Sequence, residues 1–107
     1  EYIFVYAEYN LIKIMVHEIC YVEGLKDYIK IYLTGSEKAI ITRLSMKAME
    51  EQLPAKKFTR THKSFIIAID KIKSIRNNRI KLANTEIPLS EHYKEAFFKI
   101  VDPKSLL

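Results

Sequence analysis

Cysteine and glycine are scarce in this chain of 107 residues, and each shortage removes a class of explanation. The single thiol, Cys20, cannot staple its own chain, so neither a disulfide framework nor an oxidising compartment is indicated. Placed between Ile19 and Tyr21, it reads as a small buried hydrophobe. The two glycines, Gly24 and Gly35, lie too far apart for a phosphate-cradling loop. No apolar run reaches the ~18–20 residues that cross a bilayer. Residues 1–6 carry no basic cluster, which argues against a signal peptide and leads us to expect a cytoplasmic protein. They also lack an initiator methionine, so a single domain excised from a longer chain is expected, with its missing part upstream. His17, His62 and His92 fit no metal-ligand spacing. His62 and Ser64 share a strand face, but no nucleophile elbow or orienting carboxylate accompanies them. Glu23 and Asp27 beside Gly24 read as a solvated loop rather than an acid/base pair. No catalysis, metal or cofactor is expected.

What remains is a folding core and an uneven charge. With 49% hydrophobic and 29% charged residues, the chain is large and apolar enough to form one globular domain over 1–107. The net charge is +5, which favours polyanionic partners. From Lys56 to Lys81 there are nine Lys/Arg and one acid, Asp70, whereas the first 27 residues hold five acids and two lysines. Within the basic stretch, residues 58–72 place Arg60, His62, Lys63 and Ser64 directly before the apolar run Phe65, Ile66, Ile67, Ile69 and Ile72. That run suits a buried strand, which would hold Arg60 and Lys63 at the rim of a rigid element, facing an anion. A solvated basic face without a partner is the plainer alternative.

Short strands are expected over 2–5, 11–16 and 19–22, the last stopped at Glu23-Gly24. Residues 28–33 alternate, with Ile29, Ile31 and Leu33 inward and Tyr28, Lys30 and Tyr32 outward. A turn over 34–38 returns the chain to a strand at 39–42. The period then becomes helical: Ser45 can cap, Leu44 can staple, Met46, Met49 and Leu53 share a face, and Pro54 ends the helix. Further short strands flank the turn Asn77-Asn78. A last helix begins at Ser90, with Tyr93, Phe97 and Ile100 on one face and Pro103 past its end. Many short strands with a central and a C-terminal helix make a mostly β domain.

Four segments, taken in order, carry a resemblance. They are Val22-Glu-Gly-Leu-Lys-Asp-Tyr-Ile-Lys-Ile31, Thr42-Arg-Leu-Ser-Met-Lys47 leading to Leu53-Pro54, Phe58-Thr-Arg-Thr-His-Lys-Ser64, and Ile87-Pro-Leu-Ser90 leading to Tyr93. At these spacings the chain resembles, from about Phe4 to Phe98, the LytTR DNA-binding domain of LytR/AlgR-type response regulators, with wording similar to Bacteroidetes copies. The resemblance implies an elongated arrangement of short antiparallel strands in small sheets. It implies sequence-specific binding of double-stranded promoter DNA, as the output domain of a two-component transcription regulator. An upstream receiver domain and a sensor histidine kinase would belong to the full-length protein, and paired copies, as a homodimer on DNA, would occupy repeated half-sites. Loops rather than a recognition helix would enter the major grooves.

By the same resemblance, three places touch DNA: Lys26, Asp27 and Tyr28; Arg60, Lys63 and Ser64; and Ser90, Glu91, His92 and Lys94. The chain departs from some relatives here, with Asp27 where they carry histidine, Lys63 for asparagine and Glu91 for arginine. Two donors thus become acids, so base preference does not transfer, although an acid can accept from a cytosine amino group. Two other readings compete. Outward Tyr28 and Tyr32 with the apolar N-terminal strand suit a protein-interaction module, and exposed aromatics suit an RNA-binding β-domain.

Overall fold

A computed structural model of the chain describes residues 1–101, so Pro103 lies outside the described residues. The first two strands, β1 (Tyr2–Ala7) and β2 (Asn10–Met15), form an antiparallel hairpin paired from Tyr2–Met15 to Ala7–Asn10. Its tip, Glu8 and Tyr9, holds φ of +52° and +65°, the left-handed twist that two-residue hairpins prefer. Alternation buries Ile3, Val5 and Ala7 and leaves Tyr2, Phe4 and Tyr6 in solvent.

Five strands make the central sheet: β3 (Ile19–Leu25), β4 (Tyr28–Leu33), β5 (Ile40–Thr42), β6 (Phe58–His62) and β7 (Phe65–Ala68). They lie in the order β5-β4-β3-β7-β6, every pair antiparallel. Strand β3 does not stop at Glu23-Gly24, as the sequence suggested. It runs through Gly24 to Leu25, and the reversal is made by Lys26 and Asp27, with Lys26 at φ +54°. Gly24 is needed for space instead: a Cβ there would meet Met46 Cγ at 2.8 Å. Nor is the 58–72 stretch one strand with a polar preface. It folds back at Lys63-Ser64 into β6 and β7, with a register shift between Arg60 and His62. Cys20 is half-buried, with its Sγ 3.1 Å from Thr34 Oγ1. Tyr32, expected to point outward, is half-buried and stacks on Tyr21 with ring centroids 4.3 Å apart.

Helix α1 (Met46–Gln52) is capped as expected, with Ser45 Oγ accepting from Ala48 N–H at 3.0 Å. A second, three-stranded sheet follows, in the order β10-β9-β8, from β8 (Ser74–Arg76), β9 (Arg79–Lys81) and β10 (Glu86–Pro88). Its first turn, Asn77-Asn78, has φ of +52° and +59°, which asparagine tolerates. Helix α2 (Glu91–Val101) packs on β6 and covers this sheet's inner face. Its inward side is Tyr93, Phe97, Phe98 and Val101; Ile100, expected among them, is exposed because the packed stripe turns toward the second sheet.

There are two cores, and β7 is the wall between them. Ile66 belongs to the first, with Val22, Ile29, Ile31 and Met49; its neighbour Ile67 belongs to the second, with Ile80, Ile87 and Phe97. Adjacent strand residues face opposite sides, so a strand buried on both faces reads as a continuous apolar run. Stacking two cores end to end gives a body of 47 × 25 × 22 Å.

Candidate nucleic-acid interface

Antiparallel pairing decides which loops meet. Because Glu23 pairs with Phe65, the β3–β4 turn and the β6–β7 turn lie at the same end of the central sheet. Gly24 N–H donates to the Ser64 carbonyl at 2.9 Å and locks the two together. On the other side of β6, Ser90 N–H donates to the Thr61 carbonyl at 2.9 Å, bringing the α2 approach beside the same turn. Leu89 N–H in turn donates to the Asn78 carbonyl at 2.9 Å, which adds the β8–β9 turn. Three backbone hydrogen bonds therefore tie three turns and the α2 approach into one continuous rim.

The sequence-predicted residues occupy that rim in two different states. Lys26, Asp27 and Tyr28 are exposed, as are Lys63, Glu91 and His92; Ser64, Ser90 and Lys94 are half-buried. The His92 ring stands edge-on to Tyr93, centroids 4.8 Å apart. Arg60 is different, with only 17% of its side chain exposed. Its Nε donates to the His62 carbonyl at 3.1 Å, Nη2 donates to the Lys63 carbonyl, and Nη1 donates to Glu50 Oε1 at 2.9 Å. The guanidinium also lies 5.8 Å from the Tyr93 ring centre. Arg60 thus faces the underside of the β6–β7 turn and ties it to both helices. His62 Nδ1 completes the turn by accepting from Ser64 N–H at 3.0 Å.

Pairing also brings in Arg43, which the sequence reading did not select, and singles out two arginines of the basic stretch. Thr42 sits opposite Ile29, so Arg43 projects beside Tyr28, its Nη1 3.4 Å from the phenol oxygen and its guanidinium 5.6 Å from the ring centre. Nothing local marks Arg43; only the β4–β5 register does. Arg76 and Arg79 flank the Asn77-Asn78 turn on the rim. Other cations of the basic stretch are engaged away from it: Lys57 with Glu1 at 3.1 Å, and Lys71 with the His17 carbonyl at 2.9 Å.

Behind the rim, Tyr32 OH donates to Glu23 Oε1 at 3.1 Å. Burial, then this hydrogen bond and the carboxylate charge, push the Tyr32 phenol up to about 12. Burial likewise raises Tyr21, against a hydrogen bond from Thr85 that lowers it. Among the described residues, no three His, Cys, Asp or Glu side chains are grouped to hold a metal ion. None of the described helices is long and apolar enough to cross a membrane.

A family profile described as the LytTR DNA-binding domain matches residues 9–102. The chain belongs to the LytTR DNA-binding domain family. No curated protein matches it. Among solved structures, a similar one is the LytTR DNA-binding domain of a protein described as a methyl-accepting/DNA response regulator from Bacillus cereus. The two superpose with a TM-score of 0.79 over 94% of this chain and 96% of that one, at 21% identity. The mostly β fold with small antiparallel sheets and two helices is thus the LytTR fold.

Proposed function

We propose that this LytTR domain binds double-stranded DNA sequence-specifically, as the output module of a two-component response regulator that controls transcription. The observation that carries the reading is the rim itself: three turns and the α2 approach, from distant parts of the chain, hydrogen-bonded into one edge. Its exposed side chains include Lys26, Arg43, Lys63, Arg76 and Arg79. Rigid backbone and exposed cations together suit phosphate contact, while a few side chains at the turn tips address base edges. Lys63 is the best placed for guanine, standing exposed at a turn whose carbonyl is held by Arg60. Asp27, Tyr28, Ser64, Ser90, Glu91, His92 and Lys94 complete the proposed contact set. In the full-length protein an upstream receiver domain, phosphorylated by a sensor kinase in the cytoplasm, would bring copies together on repeated half-sites.

Fluorescence anisotropy tests this across a salt titration, with duplexes enriched from a randomised pool against unselected ones. Affinity should fall steeply with log salt, and enriched duplexes should win by ~10³ or more. Absence of duplex binding at low salt would sink the reading and leave the interaction-module alternative.

A further inference from the structure

On the β8–β9 hairpin, Arg76 stands directly opposite Arg79 in the antiparallel register. Ile75 and Ile80 point into the second core, so the two arginines share the outer face, where both are exposed. Like charges placed directly across a strand pair repel, and folded sheets tend to avoid that placement or neutralise it. Here neither arginine makes an ion pair among the described residues, whose salt bridges involve Lys57, Arg60, Lys71 and Lys99. The turn between them is pinned: the Asn78 carbonyl accepts from Leu89 N–H, one residue before Ser90. An uncompensated cation pair is therefore carried by a pinned turn next to the α2 approach.

We infer that Arg76 and Arg79 form a two-pronged clamp for the DNA backbone, outside the three loops that the family resemblance marks. The inference rests on the DNA-binding reading and names a partner group within it: adjacent phosphates, bound without regard to sequence. Planar guanidinium groups suit bidentate phosphate contact, and a duplex presents one charge about every 1.7 Å of its axis. Phosphates would then supply the counter-charge that the sheet lacks. The neighbouring Lys81 faces Glu86 across β9–β10 and is partly offset.

The test is the salt dependence of binding to an unselected duplex of about two helical turns. The double variant Arg76→Ala/Arg79→Ala is compared with Lys38→Ala/Lys99→Ala, which removes the same charge from the 34–39 turn and from α2. The clamp variant should flatten the slope of log affinity against log salt by about two, while the control leaves it nearly unchanged. Enriched and unselected duplexes should weaken by the same factor, so the specificity ratio stays constant. Arg76→Lys/Arg79→Lys should keep most of the slope. Equal slopes for clamp and control variants would overturn the clamp while leaving the DNA-binding reading intact. Failure of the unaltered domain to bind any duplex would overturn both.

Discussion

Arg60 and Lys63 sit three residues apart in one basic segment, yet they do different work. Arg60 holds two turn carbonyls and Glu50 with most of its side chain out of solvent, whereas Lys63 is exposed. Truncating Arg60 removes three charge-assisted hydrogen bonds, only one of them to a part-buried carbonyl, so Arg60→Ala should lower stability by about 1–2 kcal/mol. Arg60→Lys should recover little, since a point charge cannot span that set of acceptors. Lys63→Ala should move stability by less than about 0.5 kcal/mol. If it reads a base, it should reduce discrimination by ~1–3 kcal/mol. Urea melts and duplex titrations on the three variants separate the roles; an unfolding midpoint for Arg60→Ala equal to that of the unaltered chain would refute the strut. Tyr32 gives a second test. Its phenol is raised from 10.0 to about 12 by burial and the Glu23 carboxylate, so the folded chain holds the proton more tightly than the unfolded one. The stabilisation is complete below pH 10 and is lost as pH rises toward 12. Ultraviolet titration should show two late tyrosinates, Tyr21 and Tyr32, and Glu23→Gln should bring the Tyr32 step earlier without restoring the ordinary value, because burial remains.

The β3–β4 turn shows what an element can demand of one residue. Lys26 holds φ +54° in a two-residue turn, a conformation that disfavours side chains by about 1–2 kcal/mol. Strain of this kind is tolerated where a side chain has a task at the turn tip. Lys26→Gly should therefore raise stability by about 1 kcal/mol and weaken duplex binding at the same time. A gain in stability with unchanged binding would remove Lys26 from the interface. The same turn shows what the sequence could disclose. Gly24 attracted the turn assignment because glycine often serves reversals, but its real constraint is Met46, which lies 22 residues away and leaves no local trace. Elements with a clear period were legible: the alternation of 28–33, the Ser45 cap and the Asn77-Asn78 turn. The 58–72 segment was not, because burial of β7 on both faces erases alternation and hides the reversal at Lys63-Ser64. Among the proposed contacts, exposed Lys63 and His92 stood out by composition and family pattern. Arg43 became a candidate only through strand register, which a linear reading does not contain; Arg76 and Arg79 stood in the basic stretch, and register singled them out from its other cations.

At the scale of the molecule, two cores stacked through β7 produce length. The long axis of 47 Å matches about 14 base pairs at 3.4 Å each, whereas the transverse extents of 25 and 22 Å match about seven. A body built this way cannot wrap DNA, since its two cores pack on opposite faces of one buried strand and its rim is fixed by backbone hydrogen bonds. One domain should therefore protect no more than about 14 base pairs, with cuts suppressed in two patches spaced by up to one helical turn. Hydroxyl-radical footprinting at limiting protein checks this. Protection that grows stepwise with protein concentration would mark a second copy on an adjacent half-site. Continuous protection longer than 14 base pairs at the lowest occupancy would show that the duplex bends around the domain far enough to reach faces remote from the rim. In that case the β1–β2 flank, where Tyr6 and Tyr9 stand in solvent, would become the next surface to probe for contact.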